Sequence, residues 1–148
     1  MNFLNRMFEG YCSAFLHYFT LQGRATRTQY WGFNFCLFLY LFIIWGAMAA
    51  LLYLKVGFLA KLLSWLGLIF LLVHLIPSIT ISVRRLHDTG KSGWILFAYA
   101  VLETIANALG KASDGWAFNL ASFVFSIVLI VFFCQKSDGP NKYGEPRN

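Results

Sequence analysis

Three polar stretches hold most of the side chains that could do chemistry in this otherwise apolar chain. They read GRATRTQYW at 23–31, RRLHDTGKSGW at 84–94 and GPNKYGEP at 139–146. The middle stretch places a histidine beside a carboxylate, as His87-Asp88, which suggests general-base or metal chemistry. It ends in Gly90-Lys91-Ser92, the order found at the end of a phosphate-binding loop.

The spacing supports neither chemistry. A phosphate-binding loop has a strand ahead of it and a glycine five positions before its Gly-Lys pair, but Arg85 stands there. His87 and Asp88 are adjacent, so their side chains point in different directions, and no second histidine or cysteine lies nearby in sequence. No nucleophile has better support. We therefore expect a chain that is not an enzyme, with no metal, no cofactor and no nucleic-acid partner.

Two further ionisable residues, His74 and Glu103, lie near the middle of apolar segments. Such a group in the bilayer costs about 2.5–3.5 kcal/mol unless it is paired or protonated. They could meet across two helices as a proton-linked pair, which would make the chain a small transporter or channel subunit. The alternative is a neutral histidine bonded to a carbonyl, with a protonated Glu103 bonded to a neighbour.

The composition indicates that these residues are positioned by membrane helices. Hydrophobic residues make up 59% of the 148 residues and charged residues only 12%, about half of the charged share in soluble domains. Residues 28–54, 62–83 and 115–135 contain no Asp, Glu, Lys or Arg. Since a bilayer core is crossed by roughly 20 apolar residues, the sequence predicts a membrane protein.

The predicted fold is all-α, a polytopic membrane protein with four transmembrane helices after an amphipathic interfacial helix. Leu4, Phe8, Tyr11, Phe15 and Tyr18 recur at helical spacing and form the apolar stripe of that first helix. We treat residues 1–148 as one membrane domain. Its predicted parts are the interfacial helix at 3–19, transmembrane helices at 29–54, 62–83, 94–110 and 116–134, and a turn-rich cytoplasmic tail at 135–148. By its length alone, the 94–110 segment could instead be a short or re-entrant helix.

The basic residues predict the orientation of these helices. Four spans place the amino end, the 84–93 connection and the tail on one side, with nine of the twelve Lys and Arg residues. The other three, Lys55, Lys61 and Lys111, fall on the opposite side. Because cytoplasmic loops are enriched in Lys and Arg, both termini are expected in the cytoplasm.

This topology brings the three polar stretches to one face of the membrane. Asp88 would be a shared acceptor there for Arg24 or Arg27. The predicted cluster contains Arg24, Arg27, Arg84, Arg85, His87, Asp88, Lys91, Asn141 and Tyr143. One interpretation is structural, with cations reaching the headgroups and glycines making turns. The functional one is a cytoplasmic site for anionic lipid headgroups or a protein partner, with membrane lipids and a homo-oligomer among the candidate partners.

The three stretches also resemble the signatures of the DUF805 family of small bacterial inner-membrane proteins. RRLHDTGKSGW is the most specific of them, and the resemblance covers almost the whole chain. It implies a multi-pass location in the bacterial inner, or cytoplasmic, membrane. It implies no reaction, substrate or catalytic residue.

Overall fold

The computed structural model describes residues 2–112 and 116–145, without the side chains of residues 111 and 112. This part of the chain forms five α-helices and no strand, so the all-α prediction is confirmed. The helices are α1 (Phe3–Leu16), α2 (Arg27–Tyr53), α3 (Gly57–Asp88), α4 (Trp94–Ala112) and α5 (Trp116–Cys134). The predicted tail is helix-free as far as residue 145, and Arg147 lies outside the described residues.

Three of these helices, α2, α3 and α5, are long and apolar enough to cross a membrane, judged by length and composition. Helix α4 contains a shorter apolar stretch, Trp94–Gly110. At about 1.5 Å per residue, the 27 residues of α2 measure about 40 Å. The helix predicted at 116–134 has the bounds of α5, whereas the helix predicted at 3–19 ends at Leu16.

The turn after α2 differs from the prediction. Residues 55–61 fall between the helices predicted at 29–54 and 62–83, but Gly57 is already the first residue of α3. The turn is made by Lys55, whose φ of 58° is left-handed. The amides of Lys55 and Val56 donate to Leu52 O and Leu51 O at 3.0 and 2.9 Å, the pattern of a Schellman cap. The cap leaves Gly57 available to begin the next helix.

The connection predicted at 84–93 is also shorter in the structure. Helix α3 continues through Arg84 and Arg85 to Asp88, and a second Schellman cap follows, with Gly90 at φ 71°. The amides of Gly90 and Lys91 donate to His87 O and Leu86 O at 3.1 and 2.9 Å. The predicted end of this helix, at residue 83, was too early. The prediction took the two arginines as the start of an exposed connection, whereas both are buried in the structure.

The chain divides into two compact units, of which the first contains residues up to Thr20 together with Thr28–Ile81. In this unit α1 packs closely on α2. A Cβ added to Gly32 would lie 2.7 Å from Met7 O, and one added to Gly10 would lie 2.9 Å from Gln29 O. Glycine at both positions therefore lets the two backbones approach.

Pro77 lies inside α3 and lacks the amide that would bond to Val73 O. The Ser78 and Thr80 hydroxyls bond Leu75 O and Pro77 O instead. The Tyr18 hydroxyl, which lies beyond the end of α1, donates to Val73 O at 2.8 Å. The segment after α1 is thereby attached to the proline site of α3.

The second unit contains Leu21–Arg27 and the chain from Ser82 onward. Helices α4 and α5 pair in it, and the Tyr99 and Ser126 hydroxyls are 2.9 Å apart. At the start of α4, a Cβ on Gly93 would lie 2.6 Å from a methyl group of Val83. This unit also contains most of the predicted polar cluster.

Candidate functional site

The end of α3 positions the central carboxylate of the second unit. Asp88 is the last residue of the helix and Arg85 lies one turn before it. The segment Leu21–Arg27 runs beside this end, where the Ala25 amide donates to Arg84 O at 3.0 Å. That bond brings Arg24 to Asp88. We call Arg24, Arg84, Arg85 and Asp88 the arginine cluster.

Arg24 uses all five N–H groups of its guanidinium. Nε donates to Asp88 Oδ1 at 2.9 Å, and Nη2 donates to Asp88 O at 3.0 Å and Asp138 O at 2.6 Å. Nη1 donates to Gly139 O and Gly144 O, both at 2.9 Å. A guanidinium has five donors and no acceptor, so none remains for a ligand.

Arg85 connects the end of α3 to the end of α5. Its Nε donates to Phe133 O at 3.0 Å, its Nη2 to Gln135 O, and its Nη1 to Ala25 O and Asp88 Oδ2. The carbonyls at a helix carboxyl end carry partial negative charge, which a cation stabilises. Arg85 therefore caps α5 and pairs with Asp88.

Asp88 is the acceptor that both arginines share. Oδ1 accepts from Arg24, Oδ2 accepts from Arg85 and Ser137, and the backbone oxygen accepts from the Asp138 amide at 2.9 Å. The expected pairing of Asp88 with Arg24 is present. Arg85 is a second partner that was not predicted, and Arg27, the alternative to Arg24, has an exposed side chain.

The cluster is buried and carries excess positive charge. Arg24, Arg84, Arg85 and Asp88 are at most 3% exposed, so three cations accompany one carboxylate. Buried charges need partners because water no longer solvates them. Backbone carbonyls supply the rest, including a 3.4 Å contact from Arg84 Nη2 to Arg24 O.

The remaining predicted cluster residues fold the tail onto the end of α3. Asn141 Nδ2 donates to His87 O at 3.1 Å, and the Tyr143 ring stacks on the His87 ring with centroids 3.8 Å apart. Lys91 Nζ donates to Gln135 Oε1 and lies 4.8 Å from the Phe132 ring centroid. All three stretches, as far as they are described, thus contribute to one hydrogen-bonded assembly within the second unit.

Sequence reasoning missed several of these partners. Ser137 and Asp138 precede the third stretch and were not singled out, and the carbonyls of Phe133, Gln135, Gly139 and Gly144 carry no signal of residue type. The only signal was indirect. A tail rich in Gly and Pro forms turns rather than a helix, so its carbonyls are not used by helical hydrogen bonds and need other donors.

His74 and Glu103 each have a partner within their own unit. His74 is 5% exposed; Nδ1 lies 2.7 Å from Phe70 O and Nε2 lies 2.7 Å from the Tyr11 hydroxyl. Burial is the main cause that raises the pKa of Tyr11, so this hydroxyl keeps its proton. The Asn107 amide, one turn along α4, donates to Glu103 O at 2.8 Å and contacts Glu103 Oε2 at 3.5 Å. The proton-linked pair stays a prediction, and these contacts are those of its alternative.

Within residues 2–112 and 116–145, no group of three His, Cys, Asp or Glu side chains is placed to hold a metal ion. The arrangement at Asp88 binds backbone carbonyls and a carboxylate of the same chain. These are contacts between segments of the second unit, and they involve no group of a ligand.

The comparisons with known proteins agree with the motifs. The family model described as protein of unknown function (DUF805) matches residues 18–145, which contain nearly all of the three polar stretches. The chain belongs to the DUF805 family. The arginine cluster therefore lies within the region that the DUF805 model describes.

Its DUF805 relatives are similar over most of their length. The inner membrane protein YhaI of Escherichia coli (strain K12) is 31% identical over 138 residues, 92% of each chain. The inner membrane protein YhaH of the same strain is 26% identical over 146 residues, 92% of this chain and 93% of YhaH. The uncharacterized protein YiiR of that strain is 27% identical over 137 residues, 86% and 85% of the two chains. No solved structure matches the chain.

Proposed function

We propose that this chain is a non-enzymatic, multi-pass protein of the bacterial inner membrane whose cytoplasmic face binds anionic lipid headgroups. In this proposal α2, α3, α4 and α5 span the membrane, α1 lies at the interface and both termini are cytoplasmic. The arginine cluster holds the cytoplasmic face together, and exposed cations around it contact the lipids.

The observation that carries the proposal is the division of the cations into two sets. The guanidinium of Arg24 has no N–H left for a headgroup, and Arg84 and Arg85 are buried. Arg27, Lys136 and Lys142, by contrast, have exposed side chains. All six belong to the second unit. Headgroup binding is therefore assigned to the exposed set, and the buried set supports it.

The distribution of charge supports the orientation. Nine of the twelve basic residues lie on the proposed cytoplasmic side. Each Lys or Arg near an anionic leaflet adds about 1 kcal/mol of attraction, so three exposed cations suffice for a measurable preference. The names of YhaI and YhaH as inner membrane proteins support the location.

The test compares two triple variants that each remove three positive charges. Arg27→Gln/Lys136→Gln/Lys142→Gln alters the proposed lipid face, and Lys55→Gln/Lys61→Gln/Lys111→Gln alters the opposite side. Thermal stability of the purified proteins is measured in neutral detergent with added phosphatidylglycerol or phosphatidylcholine.

Phosphatidylglycerol should stabilise the wild-type protein more than phosphatidylcholine does, and added salt should reduce this difference because it screens exposed charges. The first triple variant should lose most of the preference and the second should keep it. Equal responses of the wild-type protein to both lipids would refute headgroup binding. An equal loss in both variants would refute its assignment to this face.

A further inference from the structure

Helix α4 carries a polar stripe on the face beside the one that packs on α5. Tyr99 marks the α5-facing side, with its hydroxyl 2.9 Å from that of Ser126. Steps of three and four residues place Ala100, Thr104 and Asn107 on the neighbouring face. All three are exposed, and Glu103 lies half-buried at the edge of this face.

The helix satisfies these groups only in part. The Thr104 hydroxyl donates to Ala100 O at 2.8 Å, and the Asn107 amide donates to the backbone and carboxylate of Glu103. Among the described residues, no hydrogen bond to Asn107 Oδ1 is present. Hydrocarbon offers no donor, so an amide oxygen facing lipid is costly.

We propose that this stripe is the contact surface for a second copy of the chain, with α4 packed in parallel against its symmetry mate. The inference rests on the proposed function, because it requires α4 to span the membrane. All copies then have the same orientation, so Asn107 of one lies at the depth of Asn107 in the other. Since an amide is both donor and acceptor, two such groups complement each other, which is how Asn stabilises helix pairs in membranes.

The surface beside the stripe is apolar and open. A shallow concavity of about 340 Å³ is lined there by residues of α4 alone, namely Phe97, Ala100, Val101, Thr104 and Ile105. Ala100 and Thr104 are small enough for close approach, and Phe97 is 61% exposed at the rim. Small residues and one amide on one face are the features by which membrane helices associate. A different protein would need a matching polar group at the same depth, which a second copy supplies by symmetry.

The test uses disulfide cross-linking in native membranes. The three native cysteines, Cys12, Cys36 and Cys134, are first replaced by serine. Thr104→Cys then places one thiol on the stripe and keeps Asn107, while Leu102→Cys places one on an exposed surface about 160° around the helix. Mild oxidation should give a covalent dimer for Thr104→Cys and little for Leu102→Cys.

Adding Asn107→Leu to the Thr104→Cys protein should weaken association about threefold to thirtyfold. Equal cross-linking at both positions, or no effect of Asn107→Leu, would overturn the dimer. Labelling of the Thr104→Cys thiol by a membrane-impermeant maleimide separates the two proposals. A labelled thiol refutes the span and with it the dimer, whereas a protected thiol that does not cross-link refutes the dimer alone.

Discussion

The end of α3 and the middle of α4 both carry polar side chains, but their hydrogen-bond partners lie at very different separations along the sequence. Arg24 bonds to Asp88, 64 residues away, and to Gly144, 120 residues away. Asn107 bonds to Glu103, four residues away in the same helix. The first set joins separate segments of the second unit, whereas the second set remains within one turn of α4.

This difference determines what each set can do. A bond between distant segments stabilises the tertiary structure, and its loss leaves a buried group without a partner. A bond within one helical turn forms wherever the helix forms and contributes little to tertiary packing. The distant bonds support a structural role for the arginine cluster, and the local bonds leave the α4 stripe available for the association proposed above.

The largest effect should come from Arg24→Gln. This change removes one of the two cations that share the fully buried Asp88 carboxylate and leaves the carbonyls that Arg24 bonds without a donor. Breaking a buried pair costs about 3–5 kcal/mol. Arg24→Lys should recover only part of the loss, because an ammonium has three donors where the guanidinium uses five. Unfolding in lipid-free detergent measures both. The exposed Arg27→Gln is the control, and an equal loss there would contradict the role of burial.

An intermediate effect is expected from Tyr18→Phe in the first unit. The Tyr18 hydroxyl is a long-range donor to the carbonyl that Pro77 leaves open. Leaving that acceptor unsatisfied should cost about 1–3 kcal/mol. The matched control is Ser64→Ala, which removes a bond to Lys61 O within one turn of α3. If the two variants unfold at the same temperature, the contribution of a hydrogen bond to stability does not depend on how far apart its partners lie in the sequence.

The smallest effect on stability should come from Glu103→Gln. The residue is half-buried and its neighbour Asn107 lies in the same helix, so the change should stay within about 0.5 kcal/mol. Thermal unfolding of the monomer in detergent measures this. A loss as large as that of Arg24→Gln would mean that the α4 stripe belongs to the packed interior. It would contradict the claim that bonds within one turn of α4 add little to tertiary stability.

The sequence was informative wherever apolar runs decide structure. The uncharged runs predicted α2, α3 and α5, and α5 has the predicted bounds. The predicted helix ends were less accurate, because each helix was assumed to end at the first charged residue. Lys55 occupies the left-handed cap position that usually holds glycine, and α3 carries Arg84 and Arg85 past the expected end.

The candidate site was predictable in its charged members and not in its geometry. Asp88 with Arg24 followed from topology and charge complementarity. The pairing of Arg85 with Asp88 was not predicted. Most of the other acceptors are carbonyls of the tail and of the end of α5, and their positions depend on how the backbone bends. Such partners cannot be read from residue types.

The most direct test of the structural role compares Asp88→Asn with Asp138→Asn in one detergent. Both changes remove one negative charge, but Asp88 is fully buried between two arginines and Asp138 is exposed. If the arginine cluster is structural, Asp88→Asn should lose about 3–5 kcal/mol of stability and Asp138→Asn less than about 0.5 kcal/mol. Unchanged thermal stability of Asp88→Asn would contradict that role, because the carboxylate that both arginines share would then not hold the second unit together.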